Sequence, residues 1–236
     1  SAVRLAAMVD PVVPAVGQGA LHLFWRVPGE GVVDRAAVAT AVASARDDGA
    51  QVVSVALLGH KGDLATMALA PDLWRLRRLQ SELAAAGLDL VDSYVSLTEL
   101  SEYAQGVPDE LRQARLWPQL PPEGKPAWCF YPMSKRRWVG ANWFALPYDE
   151  RKELMYEHGG SGRKFAGRVL QVVTGSTGVD DHEWGVTLFA ERPDDLKEVV
   201  YTLRYDRASA LYGEFGTFYT GMVAEVDDVL DRLLPG

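Results

Sequence analysis

The chain has 236 residues, 48% of them hydrophobic and 24% charged, with a net charge of −8 and a single cysteine. That length and composition suit one large or two small globular domains with a sizeable buried core. The acidic balance excludes general nucleic-acid binding, and no apolar run approaches the length of a membrane span. One cysteine excludes an internal disulfide, no signal peptide is expected from the opening residues, and the cytoplasm is the expected location.

In chain order, residues 19–27 (GALHLFWRV) predict a strand and 33–48 an Ala/Val-rich helix ending at Asp-Gly. A β-branched strand over 51–59 precedes another over 63–70. Pro71 opens a helix over 72–86, with Leu73, Leu76, Leu79 and Leu83 at helical spacing, and Gly87 closes it before a strand over 90–97. The order is βαββαβ. Residues 101–124 form a Pro/Gly-bearing connector with a short helix at 109–116. The order then recurs: a strand over 127–133, a helix over 147–158 with Gly159 past its end, and strands over 166–174 and 183–190 around the turn-rich GSTGVDD. A helix over 193–204 turns Leu196, Val199, Val200 and Leu203 inward, a strand follows over 213–219, and a last helix spans 224–234. The pattern predicts an α+β fold of tandem ferredoxin-like halves, 1–100 and 125–236, whose antiparallel sheets pack as a dimeric α/β barrel within one chain.

Positive charge is concentrated in one stretch. Residues 125–168 hold nine Lys/Arg against Asp149, Glu150, Glu153 and Glu157, a net +5 that leaves −13 for the rest of the chain. A cationic segment carrying a histidine points to an anionic ligand together with a metal or a proton-transfer step. His158, in EHGGSGR, is expected at a helix C-terminus, where the cation is favoured and a neutral imidazole is a good metal ligand; a solvent-facing helix-end histidine fits the same pattern. His22 and His60 read as structural and His182 as an exposed turn residue.

Strand alternation puts Cys129, Tyr131, Met133 and Lys135 on one face and Trp128, Phe130 and Pro132 on the other. Tyr131 and Lys135 are then about 13 Å apart along the strand and able to converge on one ligand; a core tyrosine beside a surface lysine fits equally. In RVLQVV, Gln171 shares a face with Val169 and Val173, so its amide needs a buried partner or a cavity. Lys135, Arg136, Arg137, Arg163, Lys164 and Arg168 are placed to clamp carboxylates, or to form a solvated face. No phosphate loop, dinucleotide glycine pattern, zinc-spaced cluster or nucleophile elbow is present.

The segments YPMSKRR, NW, LP, EHG..GR, GRVLQVVTGS, DDHEWGVTLFA and YDRASALYGEFGTFY resemble the coproheme decarboxylases, the peroxide-dependent branch of the chlorite dismutase superfamily. The likeness covers about 115–221; the first half matches in element order alone. It implies a tandem ferredoxin-like fold, a homopentamer, and iron coproporphyrin III as substrate, with transient contact with a coproporphyrin ferrochelatase. Hydrogen peroxide drives the loss of two of the four propionates as carbon dioxide, through a three-propionate intermediate, to give haem b. His158 matches the iron ligand, Tyr131 the tyrosine that becomes a radical, Lys135 the lysine serving the second propionate, and Gln171 the distal glutamine. Arg115, Arg204 and Ser209 fall where propionates bind, and Met133, Ser134 and Trp143 where the pocket is lined. The first half is expected to supply packing and subunit contacts without a haem. Phe144 stands where family members often have Tyr, and the connector offers no distal histidine. Two rival activities share the fold. Chlorite dismutation wants a distal arginine where Gln171 stands, and a non-catalytic haem carrier or sensor needs neither Tyr131 nor Lys135.

Overall fold

The computed structural model describes residues 9–29 and 31–234. The first half runs β1 (Gly19–Arg26), α1 (Arg35–Asp47), β2 (Gln51–Leu58), β3 (Leu64–Ala70), α2 (Leu73–Ala85) and β4 (Asp89–Thr98), with α3 (Asp109–Leu116) in the connector. The second runs β5 (Ala127–Lys135), a hairpin of β6 (Arg137–Trp138) and β7 (Ala141–Asn142), α4 (Tyr148–Arg163), β8 (Val169–Gly175), β9 (Trp184–Ala190), α5 (Pro193–Leu203), α6 (Arg207–Tyr212), β10 (Gly213–Phe215), β11 (Tyr219–Ala224) and α7 (Val226–Leu233). Side-chain caps fix several helix starts: Asp34 accepts from the Ala37 amide at α1, and Asp72 from the Trp74 amide at α2.

Within each half the strands follow the ferredoxin-like order, β2-β3-β1-β4 and β11-β5-β9-β8. The halves join where β11 pairs with β2 and β4 with β8, so the β5–β9 pairing closes the sheet on itself. Closure removes exposed edges and gives every strand an inside and an outside. Phe24, Val53, Val55, Met67, Trp128, Phe130 and Phe189 fill the interior. The alternate residues Leu21, Leu23 and Trp25 lie outside beneath α1, α2 and α7, while Cys129 and Tyr131 lie outside with Leu196, Val199 and Leu203 of α5. Two buried faces explain the near-continuous apolar run of β2.

Several boundaries depart from the sequence reading, among them the start of β8 at Val169 instead of 166. The helix expected to end at His158 continues to Arg163, through Gly159, Gly160 and Gly162. Glycine costs a helix about 1 kcal/mol relative to alanine but does not stop it, and packing against α6 holds it here. The final strand is Tyr219–Ala224, not 213–219. The chain makes a short pairing with the end of β5 at β10, crosses at Gly216, whose amide donates to Pro132 O (2.8 Å), and pairs with the start of β5 as β11. The last helix therefore starts at Val226, after the strand. His182 is half-buried where exposure was expected, because its ring meets Ser134. His22 is a buried interior residue, as expected, stacked on Phe130 and bonded to Thr187 through Nε2 (2.9 Å). Burial lowers its imidazole to about 3, so it stays neutral.

Candidate functional site

The segment after α5 organises the site. Asp206 caps α6, accepting from the Ser209 amide at 2.8 Å, and its other oxygen lies 2.9 Å from His158 Nδ1. Burial alone would raise the Asp206 carboxyl, but the hydrogen bond and charge of His158 together with the Ser209 donors bring it below its usual range. An ionised carboxylate only accepts, so it is Nδ1–H that faces Asp206, and in the neutral imidazole this tautomer leaves the lone pair on Nε2, the arrangement that orients a histidine for a metal. Ser209 Oγ stands 3.4 Å from the same nitrogen.

One residue further, Arg207 reaches back to α4. Its Nε donates to Glu157 at 2.8 Å and a terminal nitrogen to Glu153 at 2.9 Å, while its backbone amide donates to Glu157. Glu153 and Glu157 are one helical turn apart, so a single guanidinium spans both and fixes α4 against α6. Arg207→Ala is expected to lower the melting temperature at low salt and to change it little at high salt. Equal melting of variant and parent at low salt would contradict this clamp.

On β5 the predicted alternation holds. Tyr131 is buried with its ring stacked on Phe218 (4.4 Å) and edge-on to Phe215 (5.8 Å). No hydrogen bond to its hydroxyl occurs among the described residues, which disfavours a core tyrosine with a satisfied hydroxyl. Burial raises the phenol above its ordinary range; Cys129 adds to this and Arg204 opposes it. Lys135 is no surface lysine, being 5% exposed. Its ammonium donates to Ala208 O at 3.3 Å and lies over the buried Trp143 ring at 4.7 Å, while its amide donates to Glu183 at 2.7 Å. Burial pushes the Lys135 ammonium down to about 8, against the opposing charges of Asp206 and Glu183. Met133 is half-buried beside the Tyr131 cluster, and Ser134 Oγ is 3.3 Å from His182 Nδ1.

Gln171 shares its strand face with Val169 and Val173, but that face is not uniformly apolar: Val169 is buried, Gln171 half-buried and Val173 exposed. A Cβ added at Gly162 would stand 3.3 Å from Gln171 Nε2. Gly162 lies four residues past His158, hence on the same face of α4, and that bare face looks onto the Gln171 amide.

The basic stretch divides into paired and unpaired cations. Arg168 pairs with Asp195 and Glu198, Arg136 with Glu214, and Arg151 with Glu102. Arg163 stacks over Tyr156. Lys135 makes no ion pair among the described residues, nor does Arg204, whose guanidinium lies 3.8 Å from the centroid of Phe215. Arg115 is exposed on α3, and no described contact brings it to the other residues. The structure thus brings His158, Ser209, Lys135 and Trp143 together around α6, and Tyr131, Met133 and Arg204 around Phe215. Asp206 is the residue the sequence reading missed.

Residues 33–224 match the chlorite dismutase family. The chain belongs to the chlorite dismutase family. Among family relatives, the coproheme decarboxylase of Staphylococcus carnosus (strain TM300) is 44% identical over 195 residues, 77% of each chain. A haem-binding protein from Thermus thermophilus superposes with a TM-score of 0.82 at 32% identity, covering 96% of this chain and 99% of that one. A chlorite dismutase variant from Candidatus Nitrospira defluvii shares the fold, with a TM-score of 0.75 at 19% identity over 93% of this chain and 97% of that one.

Proposed function

We propose that this member of the chlorite dismutase family is a coproheme decarboxylase, converting iron coproporphyrin III to haem b with hydrogen peroxide. The observation that carries the reading is the pairing of a buried phenol and a buried ammonium on one face of β5 with a histidine whose Nδ1 is tied down by a carboxylate. A haem carrier needs only the last of these.

The donor set fits an iron porphyrin: one imidazole with Nε2 available, two cations without ion pairs, and a glycine-bared helix face opposite an amide. The bound iron porphyrin supplies the reaction of peroxide and its oxidising equivalents. His158 would hold the iron through Nε2, with Asp206 fixing the ring. Gln171, whose amide faces Gly162 of α4, would offer that amide to the bound ligand. Lys135, Arg204, Ser209 and Arg115 take propionates, and Met133, Ser134 and Trp143 line the pocket. A charge-assisted propionate contact that is buried is worth about 1.5–3 kcal/mol. Tyr131 gives up an electron and its hydroxyl proton, then takes a hydrogen atom from the β-carbon of the nearby propionate. Loss of one further electron and of carbon dioxide leaves a vinyl group. Each propionate so removed consumes one peroxide, reduced to two waters, and the cycle runs twice through a three-propionate intermediate.

Lys135 makes this pH-dependent. Its ammonium is charged below about pH 8 and neutral above, so attraction for a propionate is lost as pH rises through that value. Coproheme affinity, read by absorbance titration, is expected to fall above about pH 8 in the parent and stay flat in Lys135→Arg, whose guanidinium keeps its charge. A parent curve as flat as the variant's would count against Lys135 as a propionate partner. The fold has the opposite dependence. Burial penalises the cation, so stability rises from about pH 8 toward the ordinary lysine value near 10.5.

We assign the haem site to residues 125–236, with Arg115 added from the connector, and subunit contacts of a homopentamer to 1–100, in a cytoplasmic protein that receives coproheme by transient contact with a coproporphyrin ferrochelatase. No helix among the described residues is long and apolar enough to cross a membrane. Chlorite added to haem-loaded protein tests the nearest rival: only slight oxygen release is expected with Gln171 in place of an arginine, and rapid sustained evolution would overturn the assignment.

A further inference from the structure

A second pair of phenols stands apart from Tyr131. Tyr201, near the end of α5, and Tyr205, one turn on, bring their hydroxyls to 2.6 Å and their rings edge to face with centroids 5.1 Å apart. Two aromatic side chains 64% and 70% exposed contribute little to the core. They line a cavity of about 260 Å³ with Ser161, Lys164 and Asp206. Asp206 therefore faces two ways: one oxygen receives the His158 Nδ1 proton, and the residue also borders the cavity of the phenols. A third exposed phenol, Tyr156, lies under the Arg163 guanidinium at 5.7 Å, a charge that opposes removal of an electron. Tyr201 and Tyr205 have no cation over their rings among the described residues.

We propose that Tyr201 and Tyr205 are an oxidation sink that takes the equivalents peroxide delivers when no reactive propionate stands beside Tyr131. This rests on the reading that haem is held by His158. Each phenol gives up one electron and its hydroxyl proton, the protons passing to solvent at these exposed side chains, and the hydrogen bond between the hydroxyls keeps the two rings together. The two phenoxyl radicals join through one ring carbon each. The ring hydrogens displaced at the new carbon–carbon bond restore both hydroxyls. The pair has then lost two hydrogen atoms, and one hydrogen peroxide has become two waters. Product haem b, with vinyl groups where the reactive propionates were, is the state in which the sink operates. Tyr131 is buried between Phe215 and Phe218, and its ring partners among the described residues are these phenylalanines, not a second phenol.

Trypsin separates the two tyrosines, cutting after Arg204 to release EVVYTLR and YDR. Haem b-loaded protein treated with one equivalent of peroxide is expected to yield these peptides joined and two hydrogens lighter, with dityrosine fluorescence. Tyr201→Phe and Tyr205→Phe should each abolish the joined peptide and speed haem bleaching at least twofold. A parallel arm applies a one-electron photo-oxidant to haem-free protein, which reports whether the pair couples at all. Joining in that arm with separate peptides in the haem arm would overturn the proposal, as would separate peptides in both, or a joined peptide that persists in His158→Ala. Carbon dioxide from coproheme-loaded protein is measured separately, so failure of the decarboxylase reading is seen there and failure of the sink in the haem b arm.

Discussion

Tyr131→Phe is expected to bind coproheme within a few-fold of the parent affinity and to release no detectable carbon dioxide with peroxide. The substitution removes one oxygen and keeps the ring, so stacking on Phe218 and the edge contact with Phe215 survive. Volume-conserving changes of this kind usually cost a core under about 1.5 kcal/mol. With no described partner for the hydroxyl, its loss leaves no donor or acceptor stranded. The proposed chemistry, in contrast, depends on that oxygen. Burial keeps the phenol protonated at neutral pH, so its oxidation must remove a proton with the electron, which phenylalanine cannot do. Carbon dioxide release and product masses check the result, and parent-like yields of haem b would rule Tyr131 out.

His158→Ala is expected to act on both ligand and fold. On the proposed reading the nitrogen offered to iron goes, so the absorption spectrum of bound coproheme should change, while the propionate contacts proposed for Lys135 and Arg204 should retain part of the affinity. Asp206 is left with a side chain only 1% exposed and without its imidazole partner. A buried acceptor deprived of its donor costs about 1–3 kcal/mol, so the ligand-free variant should also unfold at lower denaturant. Asp206→Asn separates these effects, because it keeps an oxygen near Nδ1 but removes the charge: binding persists and the spectrum shifts less. An unchanged coordination spectrum in His158→Ala would exclude His158 as ligand.

What the sequence made legible follows from the reach of each signal. Alternation is local, so the face shared by Cys129, Tyr131 and Lys135 was readable, and the burial of Cys129 and Tyr131 beside α5 follows it. Element order was readable because caps and apolar spacing recur within a dozen residues. The end of α4 was misread because glycines after a histidine resemble a helix stop, and only packing against α6 carries the helix on to Arg163. The Asp206–His158 bond spans 48 residues. Asp206-Arg-Ala-Ser209 has the look of a capped helix start, but nothing local says which histidine the cap carboxylate meets. Charge counting located the cationic stretch; it had no means of telling that Arg168 is neutralised by Asp195 while Lys135 is buried over Trp143. That sorting removes Arg136, Arg151 and Arg168 from the free cations of the stretch and leaves Lys135 as its buried one, with Arg204 arriving from beyond it.

The most direct measurement is a titration of coproheme-loaded protein with hydrogen peroxide, with porphyrin products followed by mass spectrometry and carbon dioxide collected. Two successive losses of one propionate each, through a three-propionate species to haem b, with one carbon dioxide per step, are the predicted result. Bleaching of the porphyrin with no carbon dioxide released would contradict the account.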